Sequence, residues 1–418
     1  MSEFASAMHG VRYAEAAAAW RTLHKSNGLR FEADRCLPMR HRGAGCDDCV
    51  QICPAQAITF ADTGLDVADV CTGCGRCVAA CPMGALAIDG FAGVDSAQGV
   101  ADSLVVECWR VPVGERVANA VAVPCLGGID AAWLIERQRT GGGVQLVDRG
   151  WCAACPSGGC EEPARRALDE ARDLLETMGV PPSRLPRIHK AALPVTVKPR
   201  VEERADHEIK LSRRAFFGQL ARRASEAVSP LLPAQAAAAA NLQLARPPRR
   251  SRARLRLLAA CAELSRAQGL PMPHTLFRRA AVSGACCNRG VCAAVCPTGA
   301  LLTRTSDGIT QELVFSAVDC IACGACVTAC PEGAARLDAC NDEGWRSEAV
   351  LWRVAMRECA ECGAAFIARD AQPLCDPCNK SRHLAREMYQ QFFGRSAQAD
   401  GPSRSTPEHE TRVVINQP

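Results

Sequence analysis

The chain has 418 residues, 22% charged and 5% aromatic, with 27 cysteines and a formal charge of +4. That length allows roughly two to four domains. The absence of any apolar run of about 18 residues excludes a membrane-spanning helix. The opening MSEFASAMHGVRYAEAAAAW has no basic region, apolar core and cleavage site in series, so no secretory signal is expected. The cysteines fall in groups rather than spread as a disulfide scaffold, which points to metal ligation in a reducing compartment, the cytoplasm.

Residues 1–30 read as an N-terminal helix, Ala14 to His24, closed by Asn27-Gly28. Cys36 follows, then a loop, then Cys46, Cys49 and Cys53 with Pro54. Next comes an unbroken run, Cys71, Cys74, Cys77 and Cys81, with Pro82 behind it. Three cysteines two residues apart let one tight loop wrap a cluster. The fourth, turned by the proline, faces away toward a second cluster. After each Cys-Pro comes a short apolar strand, Ala57-Ile58-Thr59-Phe60 and Ala85-Leu86-Ala87-Ile88. The same unbroken run returns at Cys320, Cys323, Cys326, Cys330 and Pro331.

These runs resemble the bacterial two-cluster ferredoxins, and residues 31–93 resemble one complete dicluster module. The resemblance implies crossed ligation. Cys36, Cys46, Cys49 and Cys81 hold one [4Fe-4S] cluster, with Cys36 reaching across the inserted loop. Cys53, Cys71, Cys74 and Cys77 hold the second.

Residues 100–180 are of another kind. Strands over Leu104–Val106 and Ala120–Val123 each lead into a cysteine, Cys108 and Cys125. A helix from about Ile129 to Arg139, a strand over Val144–Val147, and Cys152, Cys155 and Cys160 complete a small cysteine-rich α/β domain. Its functional groups are expected at the carboxyl edge of the strands. The layout loosely resembles the delta iron–sulfur subunit of hydrogenase and heterodisulfide-reductase complexes. An additional cluster or a structural zinc would suit these five cysteines.

Residues 181–255 read as a Pro- and Ala-rich linker. Inside it, Ser212-Arg213-Arg214-Ala215-Phe216-Phe217 resembles a twin-arginine export motif, but far from the N-terminus and with no apolar core behind it. It reads as a helix start with Ser212 as N-cap, or as a docking mimic for the chaperone of an exported redox enzyme.

Residues 256–340 repeat the dicluster pattern. By the same crossing, Cys296, Cys320, Cys323 and Cys326 hold a third regular cluster. The remaining site has Cys292 and Cys330, with Cys286, Cys287 or the distant Cys261 completing it, because Arg289 stands at the second ligand place. A three-iron cluster is the alternative there. Over 355–380, Cys359, Cys362, Cys375 and Cys378 form two knuckles that read as a zinc ribbon, with a rubredoxin-like iron as the alternative. A helix over Ser381–Phe393 and a disordered tail, 394–418, close the chain.

The expected fold class is α+β: two ferredoxin-like dicluster modules flank a small α/β domain, and a zinc ribbon follows. Four cubanes at about −2 each bring the loaded chain to roughly −4, so the basic pI is no argument for nucleic acid. No dinucleotide fingerprint, P-loop, nucleophile elbow or HExxH is present. The resemblance to bacterial polyferredoxins implies a non-catalytic electron carrier for an oxidoreductase such as a formate dehydrogenase or nitrate reductase. A maturation factor for such an enzyme, or a catalytic subunit acting through the middle cysteines, are the rival readings.

Overall fold

The computed structural model describes residues 21–24, 28–40, 45–61, 64–91, 103–140, 142–158, 162–200, 248–341, 343–368 and 372–393. They form two compact units. The first holds residues up to Arg304 together with Glu312–Arg353; the second holds Thr305–Gln311 and the chain from Val354 onward.

In the N-terminal part of the first unit, β1 (Arg21–His24) pairs antiparallel with β2 (Leu29–Phe31), which pairs antiparallel with β5 (Leu86–Ala87). Between them, β3 (Ile58–Ala61) and β4 (Gly64–Val67) form a hairpin. Three one-turn helices, α1 (Leu37–Arg40), α2 (Asp48–Gln51) and α3 (Arg76–Ala80), carry the cysteine loops. The expected helix over Ala14–His24 is corrected at its end. Arg21–His24 is a strand because Leu29 and Phe31 offer it an edge, and residues 14–20 lie outside the described residues. The core here is small: Leu29, Phe31, Ile58, Leu65 and Leu86, closed by Cys36, Cys49 and Cys77.

The C-terminal cysteine region repeats this plan. β10 (Arg278–Val282) pairs antiparallel with β13 (Ala335–Ala339), as β2 does with β5. β11 (Leu301–Ser306) lies beside β12 (Thr310–Phe315), as β3 lies beside β4. Helices α7 (Val291–Ala294) and α8 (Ala325–Thr328) follow the cysteine loops. Phe277 stacks on Trp345, ring centroids 4.1 Å apart, over Leu301, Leu313 and Phe315.

Between the two lies a parallel sheet in the order β7 (Val121–Val123), β6 (Ser103–Cys108), β8 (Gly143–Asp148), β9 (Arg187–Lys190). The central β6 and β8 bury Val106, Val144, Leu146 and Val147, the edge strand β9 is polar and largely exposed, and crossover connections give the parallel direction. α4 (Ala131–Glu136) starts where the Asp130 carboxylate accepts the Trp133 N–H at 2.7 Å. α5 (Arg165–Thr177) turns Leu168, Ala171, Leu174 and Leu175 to the core, one face at helical spacing. α6 (Arg252–Gln268) is capped by Ser251 and adds Ala260, Cys261 and Leu264 to the same core, while its Leu258 enters the C-terminal core.

The expected linker over 181–255 is corrected at both ends. Arg187–Lys190 is a strand of the parallel sheet, and the helix beginning at Arg252 belongs to the α/β core. The intervening Ser212-Arg213-Arg214 motif, like the tail 394–418, lies outside the described residues.

In the second unit, the end of β14 (Ala349–Glu358) pairs antiparallel with β15 (Ala365–Ile367). α9 (Asp376–Phe393) begins directly after Cys375, five residues before the expected start, because Asp376 and Pro377 both suit a first turn.

Candidate metal centres

Every Cys-Pro in the cysteine runs makes the same turn. Cys53, Cys81, Cys296 and Cys330 each accept, through their carbonyl, the N–H of the residue three places on, at 3.1, 3.1, 3.4 and 3.2 Å. That residue has positive φ in all four: Gln56 at 49°, Gly84 at 62°, Gly299 at 73° and Gly333 at 60°. Left-handed backbone is open to glycine and costs another residue about 1 kcal/mol or more. The next residue is a buried alanine, Ala57, Ala85, Ala300 or Ala334. A backbone N–H then points at the sulfur: Ala57 to Cys53 at 3.3 Å, Ala85 to Cys81 at 3.2 Å, Leu301 to Cys296 at 3.4 Å, Ala334 to Cys330 at 3.3 Å. Such donors stabilise negative charge on sulfur and tune whatever the sulfur binds.

The sulfurs gather across the runs. Cys36, Cys46, Cys49 and Cys81 line one cavity of about 20 Å³, walled by Phe31, Leu37, Leu65 and Met83. Cys53, Cys71, Cys74 and Cys77 line a second, also of about 20 Å³, walled by Leu29, Ile58 and Ile88. The two cavities are near twins in size, and each takes one cysteine from the other run. Burial pushes the Cys36 and Cys49 thiols up to about 12, with the neighbouring thiols adding to the effect. Cys77 rises well above the usual thiol range for the same reasons. Four thiols in an apolar cavity ionise together only when a cation joins them, since metal ligation deprotonates a thiol outright. The donor set fits a cluster of iron.

In the C-terminal region, burial drives Cys320 to about 11 and Cys326 to about 12. The thiols of Cys296 and Cys323 act on both, so Cys296, Cys320, Cys323 and Cys326 form one group. The remaining group is smaller. Cys292 is raised by burial, and the thiols acting on it are those of Cys286 and Cys330. Asn288 donates its N–H to Cys286 at 3.4 Å, as Ala322 does to Cys320, so Cys286 holds the first place of its loop. Cys287 turns instead to its own loop, 3.6 Å from the Ala285 carbonyl. Arg289 at the second place pairs with Glu332 at 2.6 Å. Cys261 is fully buried on α6 within the α/β core, where Arg254 and Glu170 are its charged neighbours. Of the expected candidates for this group, Cys287 bonds within its own loop and Cys261 sits in the α/β core.

At the carboxyl edge of the parallel sheet, Cys108 ends β6 and Cys125 follows β7. Cys125 rises with burial and with the thiols of Cys108 and Cys155 beside it. Cys152 is raised too, through burial and the Asp148 carboxylate. Four of the five expected cysteines thus meet, and Cys160 lies outside the described residues. Cys125 also acts on Cys74, which burial pushes up to about 11. The nine-tenths-buried Arg76 is held there by the Gly158 carbonyl at 2.5 Å, and its charge draws both thiols down.

In the second unit, the sulfurs of Cys359, Cys362, Cys375 and Cys378 lie within 4.8 Å of one another. The N–H groups of Cys375 and then Cys362 lower the Cys359 thiol to about 6. A thiolate already favoured beside three more thiols fits a tetrahedral metal site.

Sequence reasoning missed two features. The repeated left-handed turn was signalled by the Cys-Pro-x-Gly-Ala phrase at Cys81, Cys296 and Cys330, of which Cys-Pro-Ala-Gln-Ala at Cys53 is a variant. The role of Arg249–Arg254 had no local signal, because its partners come from two distant regions.

Residues 44–91 match the LdpA Fe-S cluster-binding domain. Residues 313–336 match the 4Fe-4S binding domain. No curated protein matches the chain. No helix among the described residues is long and apolar enough to cross a membrane. The first match covers the cysteines from Cys46 to Cys81, and the second those from Cys320 to Cys330, so the chain is an iron–sulfur protein with an Fe-S cluster-binding domain toward one end of its first unit and a 4Fe-4S binding domain toward the other.

Proposed function

We propose that the chain is a polyferredoxin, a multi-cluster electron carrier built from two dicluster modules. The observation that carries this reading is the crossing: each N-terminal cavity takes three cysteines from one stretch and one from the other. Cys36, Cys46, Cys49 and Cys81 would hold one [4Fe-4S] cluster, and Cys53, Cys71, Cys74 and Cys77 the next. Cys296, Cys320, Cys323 and Cys326 would hold a third. Cys286, Cys292 and Cys330 offer only three thiolates, the donor number of a three-iron cluster. Bound clusters supply reversible one-electron chemistry. The protein's share is to bury the thiolates, aim backbone N–H groups at sulfur and exclude water.

In this reading the group at Cys108, Cys125, Cys152 and Cys155, joined by Cys160, is an additional cluster site. The second unit's four cysteines hold zinc. The natural partner is a cytoplasmic redox enzyme, a formate dehydrogenase or nitrate reductase being the class expected from the sequence. The internal Ser212-Arg213-Arg214 favours a second reading, a maturation factor that docks the chaperone of such an enzyme.

Iron, sulfide and zinc counted per chain after anaerobic purification test the assignment. The reading expects roughly 15–16 iron from the four ferredoxin-type sites, more with the middle site, and about one zinc. Iron below about eight would sink the two-module reading. A chelator that strips zinc while leaving iron would separate the second unit's site from the others.

A further inference from the structure

Residues 249–254 touch both cysteine-rich regions at their Cys-Pro turns. The Arg249 N–H donates to the Pro297 carbonyl at 3.0 Å, one residue past Cys296. The Ser251 hydroxyl donates to the Pro82 carbonyl at 2.5 Å, one residue past Cys81, and the Arg252 N–H reaches the Met83 carbonyl at 3.3 Å. Arg249 and Ser251 are two residues apart, so the two turns are separated by about 7 Å of chain at most, plus a hydrogen bond at each end.

Ion pairs lock this strut. Glu32, 1% exposed, takes Arg249 at 3.2 Å and Arg252 at 2.7 Å. Arg250 reaches Asp319 at 2.7 Å, the residue before Cys320. Arg254 donates to the Ala317 and Val318 carbonyls and lies 5.3 Å over the Phe277 ring. Ser251 is itself 2% exposed, so water does not compete for its bond.

We infer that residues 249–254 are an internal electron crossing, clamping the Cys81 turn to the Cys296 turn so that the two cysteine-rich regions work as one conductor. The inference rests on the proposed [4Fe-4S] loading of both regions. One electron passes from the Cys81 side to the Cys296 side, and no bond forms or breaks. A low-potential one-electron donor outside the chain supplies it, and a one-electron acceptor removes it. The Arg254 guanidinium, bonded to the Ala317 and Val318 carbonyls just ahead of Cys320, favours the extra negative charge on that side.

The test uses the full-length chain carrying Cys74→Ser, Cys125→Ser and Cys292→Ser, which leaves, of the proposed cluster groups, those of Cys81 and Cys296. Reduced anaerobically with dithionite, it should give two electron paramagnetic resonance signals that split or broaden one another. Adding Arg249→Gly and Ser251→Gly should remove the splitting at unchanged iron content. Two independent signals in the chain with its strut intact would overturn the inference. If the triple cysteine variant fails to hold iron, the unsubstituted chain is used instead. The power needed to saturate the C-terminal signal should then rise several-fold when the N-terminal groups are also reduced, and no change would overturn the crossing. Absence of iron from the unsubstituted chain would instead sink the [4Fe-4S] reading beneath it.

Discussion

The N-terminal and C-terminal cysteine regions share strand pairing, turns and N–H-to-sulfur bonds, yet differ at one ligand place. The first gathers eight cysteines into two groups of four. In the second, Arg289 stands where a cysteine is expected, and its charge is matched by Glu332. Asn288 still aims its N–H at Cys286, and the Cys296 and Cys330 turns keep their geometry. The scaffold therefore comes from turn chemistry and strand pairing. The number of cysteines gathered is a separate variable set on top of it.

The largest expected effect comes from breaking a complete group. Cys74→Ser should cost about four iron per chain and leave the C-terminal signals in place, read by metal analysis and spectroscopy of the reduced protein. Bleaching of every signal would contradict separate groups. Cys36→Ser should cost as much, and unchanged iron would remove Cys36 from its set.

A smaller change should make the two regions more alike. Arg289→Cys is expected to add about one iron per chain and convert a three-iron signature, visible when oxidised, into a four-iron one, visible when reduced. No change in either signature would place the missing ligand elsewhere.

The smallest effect concerns the one turn of the four without glycine. Gln56→Gly should stabilise the N-terminal region by about 1 kcal/mol by relieving left-handed strain, seen as a higher anaerobic melting temperature. Gly84→Ala should act in the opposite sense, since an added Cβ also meets the Arg252 Cβ at 3.0 Å. Equal melting of both variants would mean that the turn tolerates either residue.

The sequence made the chemistry more legible than the architecture. Cysteine spacing is fixed by how a short loop wraps sulfur around metal, so the unbroken runs and the apolar strands after Cys-Pro could be read directly. Three strands of the α/β domain were readable as well, because Val106 and Val123 lie in apolar strands that lead into cysteines and Leu146 in one followed by Cys152. What stayed hidden depends on distant partners. Arg21–His24 follows an alanine-rich stretch with helical propensity, and only Leu29–Phe31 makes it a strand. Arg187–Lys190 looks like part of a Pro-rich linker until β8 pairs with it. Cys286 and Cys287 are indistinguishable by spacing, and the loop's own backbone separates them.

α6 has a consequence for how the protein is made. Its Ala260, Cys261 and Leu264 complete a core whose other members, among them Leu134, Ile135, Leu174 and Leu175, are translated much earlier. A ribosome adding about 5–20 residues per second needs on the order of ten seconds to travel from the end of the parallel sheet to the end of α6. During that interval the sheet-facing helices lack their last cover, while the N-terminal sulfur groups already have every cysteine they need. Biogenesis therefore has an order: N-terminal region first, α/β core after Gln268 emerges, C-terminal groups last. Nascent chains halted between residues 200 and 250 should expose apolar surface to chaperones, and chains halted beyond 300 should not.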